Sequence, residues 1–246
     1  KITINGHKSV STKKRADGII IKGKSNAVFS FTTGSGKNKN QFLVIPMSMA
    51  RNAYQLKTGL TFTKQTLLVD SNSFELINRG NATDTLLFYP ALQSDPIITN
   101  ASINLIRSEN NHLSAYEVVF TPKTPMVKIE QPLKTNAVIH VDENFLDGLN
   151  DVFLKIDYTG DKGQAFLDGH LIADHFYYGA PWEIGMKRFA QQLKNQPLYL
   201  FFHAIKKDAA CLEYFTNKIP FGDDEEYLAI NSITIIPEYK CGVEIK

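Results

Sequence analysis

Apolar residues in this chain come in short runs, continuous or alternating with polar ones, each closed within a few positions by Gly, Asn, Ser or Lys. Gly18–Gly23 (GIIIKG), Ala27–Thr32 (AVFSFT), Phe42–Pro46 (FLVIP), Gln65–Asp70 and Thr85–Tyr89 are runs of this kind. Their length and spacing predict strands of an all-β fold packed as sandwiches. Met47–Leu56 (MSMARNAYQL) is the one helical candidate in this half, a turn or two long. Gln93–Asn111 carries a weaker pattern with a turn at Asp95-Pro96, and Tyr116–Phe120 reads as a strand. Pro122, Pro125 and Pro132 follow. Proline cannot donate to a central ladder, so this stretch is expected at a sheet edge or in a connector.

Strand signals begin again after the prolines. Phe153–Tyr158 alternates, with Phe153, Ile156 and Tyr158 competing for the core face. Gly160-Asp161 turns the chain, and Gln164–Leu167 returns. Asp168-Gly169 is a two-residue hairpin signal, because both central positions favour φ > 0. Pro181–Leu193 (PWEIGMKRFAQQL) is expected to hold a short helix near its end, and Pro197–Ile205 (PLYLFFHAI) reads as a nearly continuous apolar, central strand. Ala229–Pro237 and Cys241–Ile245 finish the sheet. Strands never alternate with long helices, which argues against a parallel α/β fold. The change of domain is expected between Pro90 and Pro132, giving an N-terminal β-sandwich over 1–110 and a second β domain over 111–246.

Composition narrows the partners. The 246 residues carry 27 Lys+Arg against 25 Asp+Glu, a net charge of +2 without the basic stripe that nucleic acid requires. The only dense basic run, Lys13-Lys14-Arg15, reads as a solvated turn. No apolar run reaches the roughly 20 residues of a membrane span. The chain opens on Lys1, which fits either a trimmed chain or a processed one that has lost a targeting signal, and the expected place of work is the periplasm or outside the cell. Cys211 and Cys241 fit either one disulfide or two buried thiols.

Catalytic signatures are missing. Gly34-Ser35-Gly36-Lys37-Asn38 lacks the first glycine and the Ser/Thr of a phosphate loop and is expected to be a hairpin loop. Asp168, His170, Asp174 and His175 lie within eight positions. On one strand His170 and Asp174 would share a face while His175 points to the other, which separates the imidazoles and argues against a metal site. The acidic run Asp223-Asp224-Glu225-Glu226 reads as a solvated loop, with structural calcium as the competing reading. Asp157, Asp161, Asp174 and Glu183 supply carboxylates for a hydrolase, but without a recognisable paired arrangement.

Phe176, Tyr177, Tyr178 and Trp182 form the most suggestive group. Flat rings stack on sugar C–H faces, and Trp182 or Tyr178 would serve as platform with Asp174, Glu183 and Arg188 hydrogen-bonding the hydroxyls. The competing reading makes the same rings core or interface filler, with Phe176 and one tyrosine facing inward.

The stretch DVFLKIDYTGDKGQAFLDGHLIADHFYYGAPWEIGMKRF resembles the C-terminal β-sandwich region of bacterial β-galactosidases of glycoside hydrolase family 35. The matching pattern, D-x-F-x-x-G-x-PW-x-I-G-x-K-R-F, falls on Asp174, Phe176, Gly179, Pro181, Trp182, Ile184, Gly185, Lys187, Arg188 and Phe189. Leu228–Lys240 (LAINSITIIPEYK) resembles the closing strands of that region, and Phe42–Leu56 bears a weaker likeness to the sandwich before it. The resemblance implies a galactose-binding-like jelly roll, no cofactor, and a partner in a carbohydrate ligand or a catalytic glycoside hydrolase domain. It does not carry catalysis, because that family's glutamates sit on a (β/α)₈ barrel for which this chain has no room. The expected function is a non-catalytic carbohydrate-associated module. A purely structural domain docked on a catalytic barrel and a weakly active hydrolase are the alternatives.

Overall fold

The computed structural model describes residues 2–6, 10–24, 26–34, 37–71, 73–109, 112–215 and 218–246. The chain is all-β, and its described helical segments span no more than five residues each, among them Met47–Ala50 and Ala190–Leu193. No helix among the described residues is long and apolar enough to cross a membrane. Two compact units form. One comprises Lys1–Asn78, Ala82–Thr121 and Lys240–Lys246, the other Arg79–Asn81 and Pro122–Tyr239.

The division therefore falls at Thr121–Pro122, further along than the expected 110/111. The reason lies in pairing: Leu113–Val119 is hydrogen-bonded to both Thr83–Tyr89 and Ser102–Glu109, so it belongs to the first unit. That unit has a five-stranded sheet in the order Ser102–Glu109, Leu113–Val119, Thr83–Tyr89, Gly59–Phe62, Ala53–Leu56. Alternation sends Leu86 and Phe88 inward on one strand and Tyr116 and Val118 on its neighbour. The Phe88 ring meets Tyr116 edge-on at 5.7 Å and lies 6.4 Å from Phe74, on the opposing strand Ser73–Arg79. The strands flanking Gly34–Asn38 pair as an antiparallel hairpin with Thr33 opposite Asn40, although Ser35 and Gly36 themselves lie outside the described residues. Neither cysteine is bonded. Cys241 is buried, its thiol pushed up to about 12 by desolvation, whereas Cys211 is exposed.

The second unit is a sandwich around one core. Its front sheet has five strands in the order Val127–Leu133, Asn136–Val141, Leu198–His203, Lys162–Leu167, His170–Phe176. Its back sheet places Asp151–Thr159 between Trp182–Gly185 and the first part of Ala229–Glu244. Inward-facing Ala137, Ile139, Leu198, Leu200, Phe202, Ala165 and Leu167 of the front sheet meet Val152, Leu154, Ile156, Tyr158 and Ile184 of the back. Each fully buried Val, Leu or Ile among them contributes about 2 kcal/mol. The prolines behave as expected: Val127–Leu133, which contains Pro132, is an edge strand with an irregular register between Glu130 and Leu133. Of the three residues competing for the core on Asp151–Thr159, Ile156 and Tyr158 win. Phe153 faces outward and carries the Arg79 guanidinium 3.6 Å from its ring centroid. Asp168 and Gly169 both have positive φ, at 50° and 75°, as the hairpin requires.

Candidate functional site

The five residues expected to read a sugar do not converge. Trp182 is 5% exposed and belongs to the core, which leaves no open ring face for stacking. Trp182–Gly185 alternates, so Glu183 points outward on the back sheet, where Arg79 Nη1 donates to it at 2.8 Å. The same Arg79 donates to the buried Glu238, whose other oxygen accepts from Asn150 at 2.6 Å. Arg188 lies in the short 3₁₀ turn Lys187–Phe189, its guanidinium 4.5 Å from the ring centroid of Phe189. Tyr178 is exposed, with its ring 5.3 Å from His175. Asp174 alone sits on the outer face of the front sheet, directly across from Gln164.

Trp182 instead closes a buried aromatic cluster. Its indole stacks on the imidazole of His175 at 5.8 Å and 10°. The indole also covers Gly163, directly across from His175 on the neighbouring strand, where a Cβ would lie 2.9 Å from the indole Cζ3. Tyr158 donates its hydroxyl proton to the His175 carbonyl oxygen at 2.9 Å, while His175 Nδ1 lies 2.9 Å from the same hydroxyl. A hydroxyl has one proton, so Nδ1 carries its own and donates it. Nε2 is then a bare acceptor, buried without a partner. Burial holds the imidazole below its ordinary pKa and raises the Tyr158 phenol well above its own.

What the outer face of the front sheet does present is a second set of aromatics. Leu198–His203 alternates strictly, burying Leu198, Leu200 and Phe202 and turning Tyr199, Phe201 and His203 outward. Tyr199 is 42% and Phe201 40% exposed, on the central strand of the sheet. The expected continuous apolar strand is thus one-faced, and its outer side is aromatic where a solvated face would ordinarily be polar. Register places Tyr199 across from Phe166, Phe201 across from Gln164, and His203 across from Lys162. On the next strand Asp174 faces Gln164 and Phe176 faces Lys162. Phe201 and Phe166 meet edge-on at 5.7 Å, and the His203 ring is bonded through Nε2 to the Gln164 amide oxygen at 3.1 Å. Phe176, expected to face inward, is 68% exposed, and Tyr177 takes the inward place, 5.6 Å from Tyr158. The outer face therefore combines rings with hydrogen-bonding side chains: Tyr199, Phe201, Phe166 and Phe176 around Gln164, Asp174, Lys162 and His203. The signal for Tyr199 and Phe201 was the alternation L-Y-L-F-F-H itself, obscured because every residue before the histidine is apolar or aromatic.

A bulge between Ala165 and Phe166 shifts the last hairpin residues, so His170 sits across from Leu167 while Asp174 faces Gln164. His170 and Asp174 consequently do not share a face. Among the described residues, no three His, Cys, Asp or Glu side chains converge as a metal site. Asp168 lies in the turn and accepts from Gln196 at 2.9 Å, and Asp223, Asp224 and Glu225 are exposed. In the first unit an open pocket of about 640 Å³ holds Asp84, which accepts from Thr63 and whose carboxyl is raised mainly by desolvation.

No protein-family model matches the chain, and no curated protein matches it.

Proposed function

We propose that the second unit is a non-catalytic carbohydrate-binding module of a glycoside hydrolase system, a galactose-binding-like jelly roll whose glycan platform is the outer face of the front sheet. The observation that carries this reading is the pair Tyr199 and Phe201, two large rings held exposed on a central strand beside Gln164 and Asp174. Rings exposed this way cost solvation unless a ligand covers them, and their faces suit sugar C–H groups while the polar neighbours suit hydroxyls. Five strands facing three is the strand number of a jelly roll, which supports the fold reading. Asp174 remains a hydrogen-bonding group in this scheme; the stacking role passes from Trp182 to Tyr199 and Phe201.

Isothermal titration of the protein with galactosides and plant-type oligosaccharides tests the reading. Tyr199→Ala/Phe201→Ala should weaken binding at least about tenfold, from the ~1 kcal/mol or more that each ring contact is worth. Arg188→Ala should bind as the wild type does. Absence of binding to every sugar, or equal binding by the double variant, sinks the proposal. The burial of Trp182 is what a purely structural domain docked on a catalytic barrel would show, and that reading gains if no sugar binds.

A further inference from the structure

Resting on that reading, we infer that the platform takes an internal stretch of an unbranched glycan, about three linked rings long and oblique to the strands, and not a single terminal sugar. Phe201 and Phe176 are on strands separated by the single strand Lys162–Leu167, and their register partners, Gln164 and Lys162, are two residues apart on it. With adjacent strands ~4.8 Å apart and a rise of ~3.4 Å per residue, the two ring positions are about 12 Å from each other. Tyr199, two residues further along its strand, extends the span from Phe176 to about 17 Å by the same spacings. One pyranose cannot touch rings that far apart. A chain of about three can, and its path between Phe201 and Phe176 crosses Gln164, Asp174 and Lys162, the polar groups of the face.

The ends of the path decide between an internal stretch and a chain terminus. A site for a terminal sugar needs a wall that stops the chain, enclosing most of the ligand's surface. Here both extremes are open: Phe176 is the most exposed ring of the path, and at the other end Tyr199, and Leu171 across Phe166 from it, are exposed too. A pocket of about 510 Å³ in the second unit, lined by Pro125–Lys128 and His140–Asp142, lies against the opposite edge of the sheet from Phe176.

The test is titration with β-linked galacto-, gluco- and xylo-oligosaccharides of one to six units, each with a free or a borohydride-reduced end. Affinity should rise at least about tenfold between the two-unit and four-unit members of the bound series, then level off, from the added ring contact. Reducing the chain end should leave the four-unit affinity unchanged. Phe176→Ala should bring four-unit binding down to the two-unit level and leave two-unit binding as it was; circular dichroism confirms that the variant is folded. A single sugar binding as tightly as six, or loss of affinity on end reduction, overturns the inference and leaves the glycan platform standing. No binding in any series overturns both.

Discussion

Replacing Gly163 by alanine should destabilise the protein, which is the reverse of what a glycine-to-alanine change in a strand ordinarily does. Gly163 has no left-handed backbone, so alanine fits its conformation and restricts the unfolded chain, an effect worth about 0.4–1 kcal/mol of added stability. The space is the obstacle. A Cβ there would stand 2.9 and 3.0 Å from two indole carbons of Trp182 and 3.3 Å from Phe202 Cε1. The indole has little room to retreat, because it is 5% exposed within the core and stacks on the His175 ring. Overpacking of this kind costs about 1–3 kcal/mol, which outweighs the backbone gain and leaves a net loss of roughly 1–2 kcal/mol. Urea denaturation followed by far-ultraviolet circular dichroism measures it. Trp182→Phe removes part of the ring that the methyl meets, so in that background Gly163→Ala should be neutral or stabilising, a coupling of about 1–3 kcal/mol. A Gly163→Ala protein at least as stable as wild type, with additive effects in the double variant, would refute the idea that the indole is held tightly against Gly163.

Two further outcomes follow from polar groups in the same unit. Arg79→Met leaves the buried Glu238 with Asn150 as its remaining partner and should cost about 2–3 kcal/mol in chemical denaturation. A loss near ~0.5 kcal/mol, the level of an exposed ion pair such as Arg79–Glu183, would show that Glu238 does not depend on Arg79. His175 has its folded pKa held below the unfolded value near 6.5, so the unfolded chain takes up the proton first as pH falls. Its contribution to stability is present above about pH 6.5 and is lost as pH falls through the folded pKa. Thermal midpoints measured from about pH 8 to about pH 5 should therefore fall less in His175→Phe than in wild type; parallel curves would contradict this.

Much of the fold was legible from patterning, because strands here are bounded by turn residues whose backbone demands are local. Asp168-Gly169 made its turn, Pro132 went to an edge, and the four-residue helix Met47–Ala50 fell inside the expected segment. Faces were harder to read than strands. Leu198–His203 offers large apolar side chains on both sides, so periodicity could not say that Leu198, Leu200 and Phe202 bury while Tyr199 and Phe201 do not. Phe176 faces outward where an inward place was expected, Tyr177 is the one tyrosine that turns inward, and the bulge at Ala165–Phe166 moved His170 out of the register assumed for Asp174. A bulge leaves no mark in hydrophobic alternation when the extra residue, Ile172, is itself apolar. Trp182 was singled out for its chemistry, yet its place in the core depends on Gly163, a partner on another strand whose pairing only the folded chain reveals.

The strand Ala229–Glu244 supplies residues to both units, its last part pairing Gly242, Val243 and Glu244 with Thr99, Ile98 and Ile97. This orders events at the ribosome. Most multidomain chains complete their first domain while the next is still being made. Here the first unit waits for Lys240–Lys246, which emerge only after the whole of the second unit has been translated. Until then Ile97–Thr99 has no strand to pair with, so the unit nearer the start of the chain is the one that reaches its final form later.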